Sequence, residues 1–124
     1  MSSEAVPDDV RDLILRHIDS VAQLEALLLL RAHSAESWVA SSIAKRLYAP
    51  EADIVRALAR LCTDGFLIRE QETYRYECSA EKRERVDRLA EAYSRHLIPV
   101  TNLIHAKPRN IRQFSDAFKF RTDE

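Results

Sequence analysis

The residue types that most often perform chemistry are scarce in this sequence and do not cluster. Cys62 and Cys78 are the only cysteines, and the four histidines stand at positions 17, 33, 96 and 105. A disulfide framework or a four-cysteine zinc site needs more cysteines, and no two histidines have the spacing of a metal-binding motif. We therefore predict no metal site and a packing role for both thiols, while the sequence leaves a redox role for either thiol open.

Gly65 is the only glycine in the chain, which excludes several kinds of active site. A phosphate-cradling loop, a dinucleotide fingerprint and a nucleophile elbow each need glycines where the backbone turns sharply or approaches a ligand. No nucleophile with a neighbouring base can be assembled from the remaining residues. These exclusions predict a protein that is not an enzyme and uses no cofactor.

Charged side chains remain as candidates for binding. The 124 residues include 19 Lys and Arg against 20 Asp and Glu, a formal net charge of −1. A chain this neutral has no global field toward nucleic acid or a membrane, so a polyanion would need a local patch. Residues 40–76 hold six basic and five acidic side chains. Because each neutralised phosphate adds affinity through counterion release, this small excess predicts weak, salt-sensitive binding.

The hydropathy pattern bears on location. The longest apolar run, Ala26 to Leu30, is far too short to cross a membrane, and no signal-peptide pattern opens the chain. The length suits one domain with an appended arm. We therefore expect a reduced, cytoplasmic protein with no membrane partner.

Local signals predict helices around a short hairpin. The Ser20-Val21-Ala22-Gln23 segment fits the capping box that begins a helix, and Ser79 is placed to cap another. Pro50 can open a helix that Gly65 would end with a left-handed cap, and alternation predicts a two-stranded hairpin after it. The predicted order is a helix over 7–19, a helix from 20 to about 33, an extended piece at 38–39, a helix over 41–48, a helix from 50, a hairpin over 66–78 and a long helix over 80–106.

The last predicted helix, Ala80 to Ala106, has an apolar seam with near-heptad spacing. Its members are Val86, Leu89, Tyr93, Leu97, Val100 and Ile104. A helix of about 27 residues is roughly 40 Å long, which exceeds the diameter of about 35 Å expected of a compact chain of this size. Unless Pro99 folds the helix back, the seam extends past its own domain. A second copy is the simplest cover, so we predict a homodimer through this helix with help from Pro7–Asp19.

The order of elements resembles the winged helix-turn-helix domain, most strongly from Leu24 to Cys78. The residues with this resemblance are the small alanine in Ile43-Ala44-Lys45-Arg46-Leu47, the apolar stripe Ile54, Leu58 and Leu61, and the glycine turn Asp64-Gly65-Phe66-Leu67 that leads into the Tyr74–Cys78 strand. The flanking helices look like those of small bacterial regulators of the MarR and PadR kind, which dimerise through terminal helices. The resemblance implies a mainly α fold with a β-hairpin wing, divided into an N-terminal helix over 1–19, the winged domain over 20–78 and a long C-terminal helix with a tail over 79–124.

The resemblance also implies a dimeric transcription regulator that binds double-stranded DNA without a cofactor. In such regulators the helix after the tight break lies in the major groove. The groove-facing positions here would be Pro50, Glu51, Ala52, Val55 and Arg56, and the DNA-binding candidates are Lys45, Arg46, Glu51, Arg56, Arg60, Arg69 and Arg75. Arg56 alone of the groove-facing set is a common reader of base edges. Glu51 and Asp53 depart from the family because they place negative charge near the phosphates.

A second hypothesis is a winged-helix adaptor that binds another protein and has no specific DNA site. Its surface would be the helix from Glu51 to Arg60 or the tail from Lys107 to Arg121, which has five basic residues and one acidic residue. Phe114, Phe118 and Phe120 are interleaved with those cations. This pattern is typical either of a binding arm or of a segment that packs on the protein's own surface.

Overall fold

The computed structural model describes residues 6–106, a mainly helical fold with a small antiparallel sheet, as the sequence predicts. The elements in chain order are α1 (Asp8–His17), α2 (Val21–Ala32), β1 (Trp38–Val39), α3 (Ala40–Leu47), α4 (Glu51–Thr63), β2 (Leu67–Glu70), β3 (Thr73–Tyr76) and α5 (Ala80–Arg95). A further helix, α6, covers residues 97–106.

Two serines begin helices where the capping signals predict. Ser20 Oγ accepts from the backbone N–H of Gln23 at 3.0 Å, and the Gln23 side chain accepts from the N–H of Asp19 at 2.8 Å. The Gln23 amide also donates to the carbonyl of His17 at 2.6 Å, so this buried side chain joins the end of α1 to the start of α2. Ser79 caps α5 in the same way, and both capping predictions are confirmed.

The sheet has three strands: the predicted hairpin is confirmed as β2 and β3, and the predicted extended piece at 38–39 is β1. β2 and β3 pair antiparallel, and β1 adds to the free edge of β3, which makes the strand order β1–β3–β2. Trp38 lies opposite Tyr74, which lies opposite Arg69, so these side chains share one face of the sheet. The pairing of β1 with β3 was not predicted, because the two strands are distant in the sequence and periodicity does not reveal which segments pair.

The core is centred on α4. α2 and α3 both pack against it, and the predicted stripe of Ile54, Leu58 and Leu61 is fully buried. After α4 the chain turns at Gly65, whose φ of 87° lies in the left-handed region, and Phe66 is then fully buried. Within residues 6–106, α4 is therefore buried along its inner side and exposed along its outer side.

The predicted continuous helix over 80–106 is interrupted. α5 ends at Arg95, and His96 leaves the helical conformation with φ −134° and ψ 60°. In an unbroken helix Pro99 would have no N–H for the carbonyl of Arg95, and its ring would clash with that carbonyl. In the observed arrangement Pro99 lies in the first turn of α6, where an N–H has no helical partner to lose. Pro99 therefore accompanies a break between two helices, and the prediction of one helix over 80–106 was wrong.

The interruption buries most of the predicted dimer seam within the chain itself. Four of its six residues have no exposed surface: Val86, Leu89, Val100 and Ile104. Tyr93 is half-buried, and its hydroxyl donates to Glu25 Oε2 at 2.9 Å. Only Leu97, at 49%, is well exposed. A seam that its own chain covers needs no second copy, so the argument from helix length to a dimer fails.

Candidate nucleic-acid interface

The connection between α3 and α4 is a tight break that holds an exposed tyrosine in a strained conformation. Tyr48 ends α3 with φ 56° and ψ 44°, in the left-handed region where a Cβ costs energy. The N–H of Ala49 donates to the carbonyl of Ala44 at 3.0 Å, and Pro50 then serves as the N-cap of α4. The Tyr48 side chain is 96% exposed, so no packing within the described chain offsets the strain.

An open groove follows this break. Its lining residues are Ser41, Ala44, Lys45, Tyr48, Ala49, Pro50 and Glu51. Lys45 and Arg46 are exposed on α3, and the Arg46 guanidinium lies 5.9 Å from the centroid of the Trp38 ring, a cation–π distance. Neither cation forms an ion pair with a carboxylate of residues 6–106. The groove therefore places a lysine without such a partner beside an exposed aromatic ring.

The outer side of α4 begins with Glu51 and Ala52 and continues one turn later with Val55 and Arg56. The Arg56 guanidinium pairs with the carboxylate of Asp53 on the same helix, and these side chains are 74% and 47% exposed. A pair this exposed stabilises a helix by about 0.3–0.5 kcal/mol. Arg56 can therefore leave Asp53 for another acceptor at little cost.

Arg60 lies one turn further along α4 and connects three elements. Its Nε donates to Asp64 Oδ2 at 2.8 Å, its Nη1 to Asp19 Oδ2 at 2.7 Å and its Nη2 to the carbonyl of Arg16 at 2.9 Å. The hydrogen bond to Asp64 raises the pKa of Arg60 above its ordinary value, although burial opposes this. The sequence made Arg60 a candidate for DNA binding. In the structure its donors instead hold α4 to the end of α1 and to the connection between α1 and α2.

Asp64 receives a second hydrogen bond, from His17. His17 Nδ1 lies 2.9 Å from Asp64 Oδ2, and because a carboxylate only accepts, the ring donates through Nδ1. Burial raises the pKa of the Asp64 carboxyl, but the hydrogen bonds from His17 and Arg60 outweigh it and leave the pKa below its ordinary value. The His17 ring also packs edge-on against Phe66. The C-terminal end of α4 is thus a polar cluster in which the Asp64 carboxylate accepts from both His17 and Arg60.

The β2–β3 hairpin presents its two predicted arginines differently. Arg69 Nε donates to the carbonyl of Gln71 at 2.7 Å, and its guanidinium lies 5.6 Å from the centroid of the Tyr74 ring. Arg75 pairs with Glu77 at 2.7 Å and lies 4.0 Å from Glu70. Nearby carboxylates therefore neutralise Arg75, whereas Arg69 has no carboxylate of residues 6–106 in ion-pair contact.

The structure thus separates the predicted cations into two groups. The ion-paired cations are Arg56, Arg60 and Arg75. The cations that pair with no carboxylate of residues 6–106 are Lys45, Arg46 and Arg69. Two of these precede α4 in the chain and the third follows it. The cations without an ion pair therefore flank α4 in the sequence, while Arg56 on α4 has a weak, exposed partner in Asp53.

The remaining candidates add no reactive group. Cys62 and Cys78 are free and half-buried, and burial raises the pKa of the Cys62 thiol, an effect that nearby Arg69 reduces. A raised pKa disfavours the reactive thiolate. Within the described range, no group of three or more His, Cys, Asp or Glu side chains could hold a metal ion. No helix of that range has the length and apolar character to span a bilayer. The basic tail from Lys107 to Arg121 lies outside the described residues.

Sequence reasoning missed Tyr48 and the carboxylate partners of Arg60. The sequence did contain a signal for the strained tyrosine. The break at Leu47-Tyr48-Ala49-Pro50 has no glycine, so a residue with a Cβ has to adopt the left-handed conformation that ends the helix. The pairing of Arg60 with Asp19 had none, because these residues lie 41 positions apart.

Compared with known proteins, the chain matches no family model, and neither the curated proteins nor the solved structures contain a significant match. A function therefore has to be inferred from the arrangement of the residues described above.

Proposed function

We propose that this chain is a non-enzymatic winged-helix protein that binds double-stranded DNA and regulates transcription, with α4 in the major groove. The observation that carries the proposal is the arrangement around α4: the elements run α2, β1, α3, α4, β2, β3, and the sheet order is β1–β3–β2. Helix-turn-helix domains present the helix after the break to base edges. α4 has the matching asymmetry, since its inner side is buried and its outer side exposed.

The distribution of charge around α4 supports phosphates as flanking ligands. Of the predicted DNA-binding cations, Lys45, Arg46 and Arg69 form no ion pair with residues 6–106. If each neutralises one phosphate, the salt slope is about −2.7 per protomer, and affinity falls about 40-fold between about 50 and 200 mM salt. On α4 itself, Glu51 can accept from a cytosine amino group and Arg56 can donate to guanine.

Duplex selection from a random library, followed by affinity measurement at these two salt concentrations, tests the proposal. We expect a selected consensus and the stated salt slope. The double variant Lys45→Ala with Arg46→Ala should reduce the slope by about two. Arg83→Ala is the matched control, because Arg83 is also exposed and also lies over an aromatic ring, that of Tyr76, but on α5. Equal affinity for every duplex would contradict the proposal.

We propose a homodimer as well, through a smaller surface than the predicted seam. Leu97 and Ile98 at the α5–α6 junction are 49% and 62% exposed, an adjacent apolar pair of the kind found at association sites. Light scattering at micromolar concentration should give the mass of a dimer, and Leu97→Glu should give a monomer. Val55→Glu on α4 is the control, since Val55 is 43% exposed and lies outside the predicted dimer elements. A monomeric wild-type chain would exclude the dimer.

A protein-binding adaptor is the second candidate, and the exposed Tyr48 favours it. Tyrosine and arginine are enriched at protein interfaces, and Tyr48 and Arg56 both project from the region of the break. A pull-down with and without nuclease separates the candidates. Capture that survives nuclease and is lost in Tyr48→Ala, in a chain that selects no duplex, would favour the adaptor.

A further inference from the structure

The outer surface of α4 is apolar at positions where a helix that reads DNA usually has polar side chains. Val55 is 43% exposed and Tyr48 96% exposed, and Pro50 and Ala52 between them are exposed as well. These four residues are named the α4 apolar patch. The inner side of α4 already supplies its share of the core, so this second apolar surface has no packing role within residues 6–106.

The charges around the patch indicate a polyanion as its occupant. Lys45 and Glu51 both line the groove of Tyr48 and Pro50, and Glu51 is the side chain assigned above to a cytosine amino group. Arg46 is the neighbour of Lys45 on α3, and Arg69 follows α4 on β2; all three cations are free of ion pairs with residues 6–106. An apolar strip with flanking cations is complementary to a duplex groove, in which phosphates border the base edges.

Only one base presents an apolar group in the major groove. Thymine has a C5-methyl there, whereas guanine, cytosine and adenine present hydrogen-bonding groups. Arg56 is placed to donate to guanine, but Val55 beside it on α4 has only methyl groups to offer a base. Resting on the DNA-binding function proposed above, we propose that the α4 apolar patch recognises thymine by its C5-methyl group, with Val55 as the contacting residue.

Deoxyuridine substitution tests this recognition without changing the protein. The probe is a duplex selected by the full chain, with each thymine replaced in turn by deoxyuridine, which removes the methyl and keeps every hydrogen bond. At one or two positions the affinity should fall about fourfold, the effect of leaving one buried methyl out of contact.

Val55→Ala connects the effect to the named residue. This variant should bind the thymine duplex about fourfold more weakly than wild type and lose nothing further on deoxyuridine substitution. Val39→Ala is the matched control, because Val39 is an exposed valine on β1 outside the patch, and it should retain the wild-type response. Since both valines are exposed, neither truncation removes core packing.

The outcomes separate this inference from the proposed function. Sequence-selective binding that is insensitive to deoxyuridine at every position would overturn the inference and leave the function intact. A full deoxyuridine penalty in Val55→Ala would overturn the role of Val55. Failure to bind any duplex would contradict both the proposed function and this inference. If the protein then captures a protein partner that Val55→Ala does not capture, the α4 apolar patch is a protein-binding surface instead.

Discussion

The two ends of α4 differ in how firmly they are held. At the C-terminal end, Arg60 bonds to Asp64, Asp19 and a carbonyl of α1. At the N-terminal end, Tyr48 is almost fully exposed, and Arg56 has one exposed partner on its own helix. Arg56 and Arg60 are the same residue type one helical turn apart, yet the first remains available to a ligand and the second joins three elements. Residue type and spacing on a helix therefore do not assign a role until the partners are known.

The contrast has a physical basis in desolvation. Asp64 is only 16% exposed, so its carboxylate depends on Arg60 and His17 for compensation. Asp53 is 47% exposed and hydrated without Arg56. Loss of an arginine should therefore cost stability at one end of α4 and binding at the other.

Arg60→Ala should have the largest effect. The substitution leaves Asp64 and Asp19 without the guanidinium that bonds them, and we expect the free energy of unfolding to fall by about 2 kcal/mol. Arg60→Lys should recover less than half, because an ammonium cannot reach three acceptors as a planar guanidinium does. Urea denaturation measures both variants. Arg56→Ala should change stability by less than about 0.5 kcal/mol, and equal losses in the two alanine variants would break the comparison.

Arg56→Ala should have the next largest effect, and it should fall on binding. Affinity for the selected duplex should drop about tenfold, or about 1.4 kcal/mol, with relaxed discrimination at one base pair. Competition binding with single-base variants of the site measures both. Arg60→Ala, assayed at a temperature where it is folded, should keep wild-type affinity. The reverse pattern would exchange the roles assigned to the two arginines.

Tyr48→Gly tests whether the residues at the N-terminal end of α4 serve a ligand rather than the fold. Glycine adopts the left-handed conformation without a Cβ penalty, so the variant should gain about 1 kcal/mol of stability while binding the duplex more weakly. Gln71→Gly is the control, since Gln71 has φ 59° in the β2–β3 turn and should gain stability without losing affinity. A less stable Tyr48→Gly variant would show that Tyr48 supports the fold rather than a ligand.

The smallest effect is on the stability of the fold in acid, and it comes from Asp64 at the C-terminal end of α4. The pKa of Asp64 is lowered on folding, so the stability that its charge contributes is present above the ordinary value of 3.8 and is lost as pH falls through the folded value. Asp64→Asn should therefore be less stable than wild type near neutral pH and should lose less stability below about pH 4. Thermal melts across this range measure the difference. Parallel curves for the two proteins would contradict a compensated carboxylate at this position.

Short-range signals were sufficient for most of the secondary structure. The capping hydrogen bonds at Ser20 and Ser79 and the turn at Gly65 act between groups a few residues apart, so the sequence reveals them directly. The buried stripe of α4 follows from helical periodicity in the same way. For the candidate site, the sequence identified Arg56 and Val55 on the outer side of α4, and the structure exposes both.

Tertiary structure alone decided the partners of these elements. Periodicity shows that an apolar face must be covered but not which segment covers it, so the sequence was compatible with a dimer through this seam. In the structure the helix is interrupted before Pro99, and Val100 and Ile104 are buried in the core of the same chain. Arg60 likewise received its role from Asp19, 41 residues away. Caps and turns depend on steric limits and hydrogen bonds between near neighbours, which the sequence determines. Ion pairs and the cover of apolar faces depend on which distant segments meet, and only the packing of the whole chain decides that.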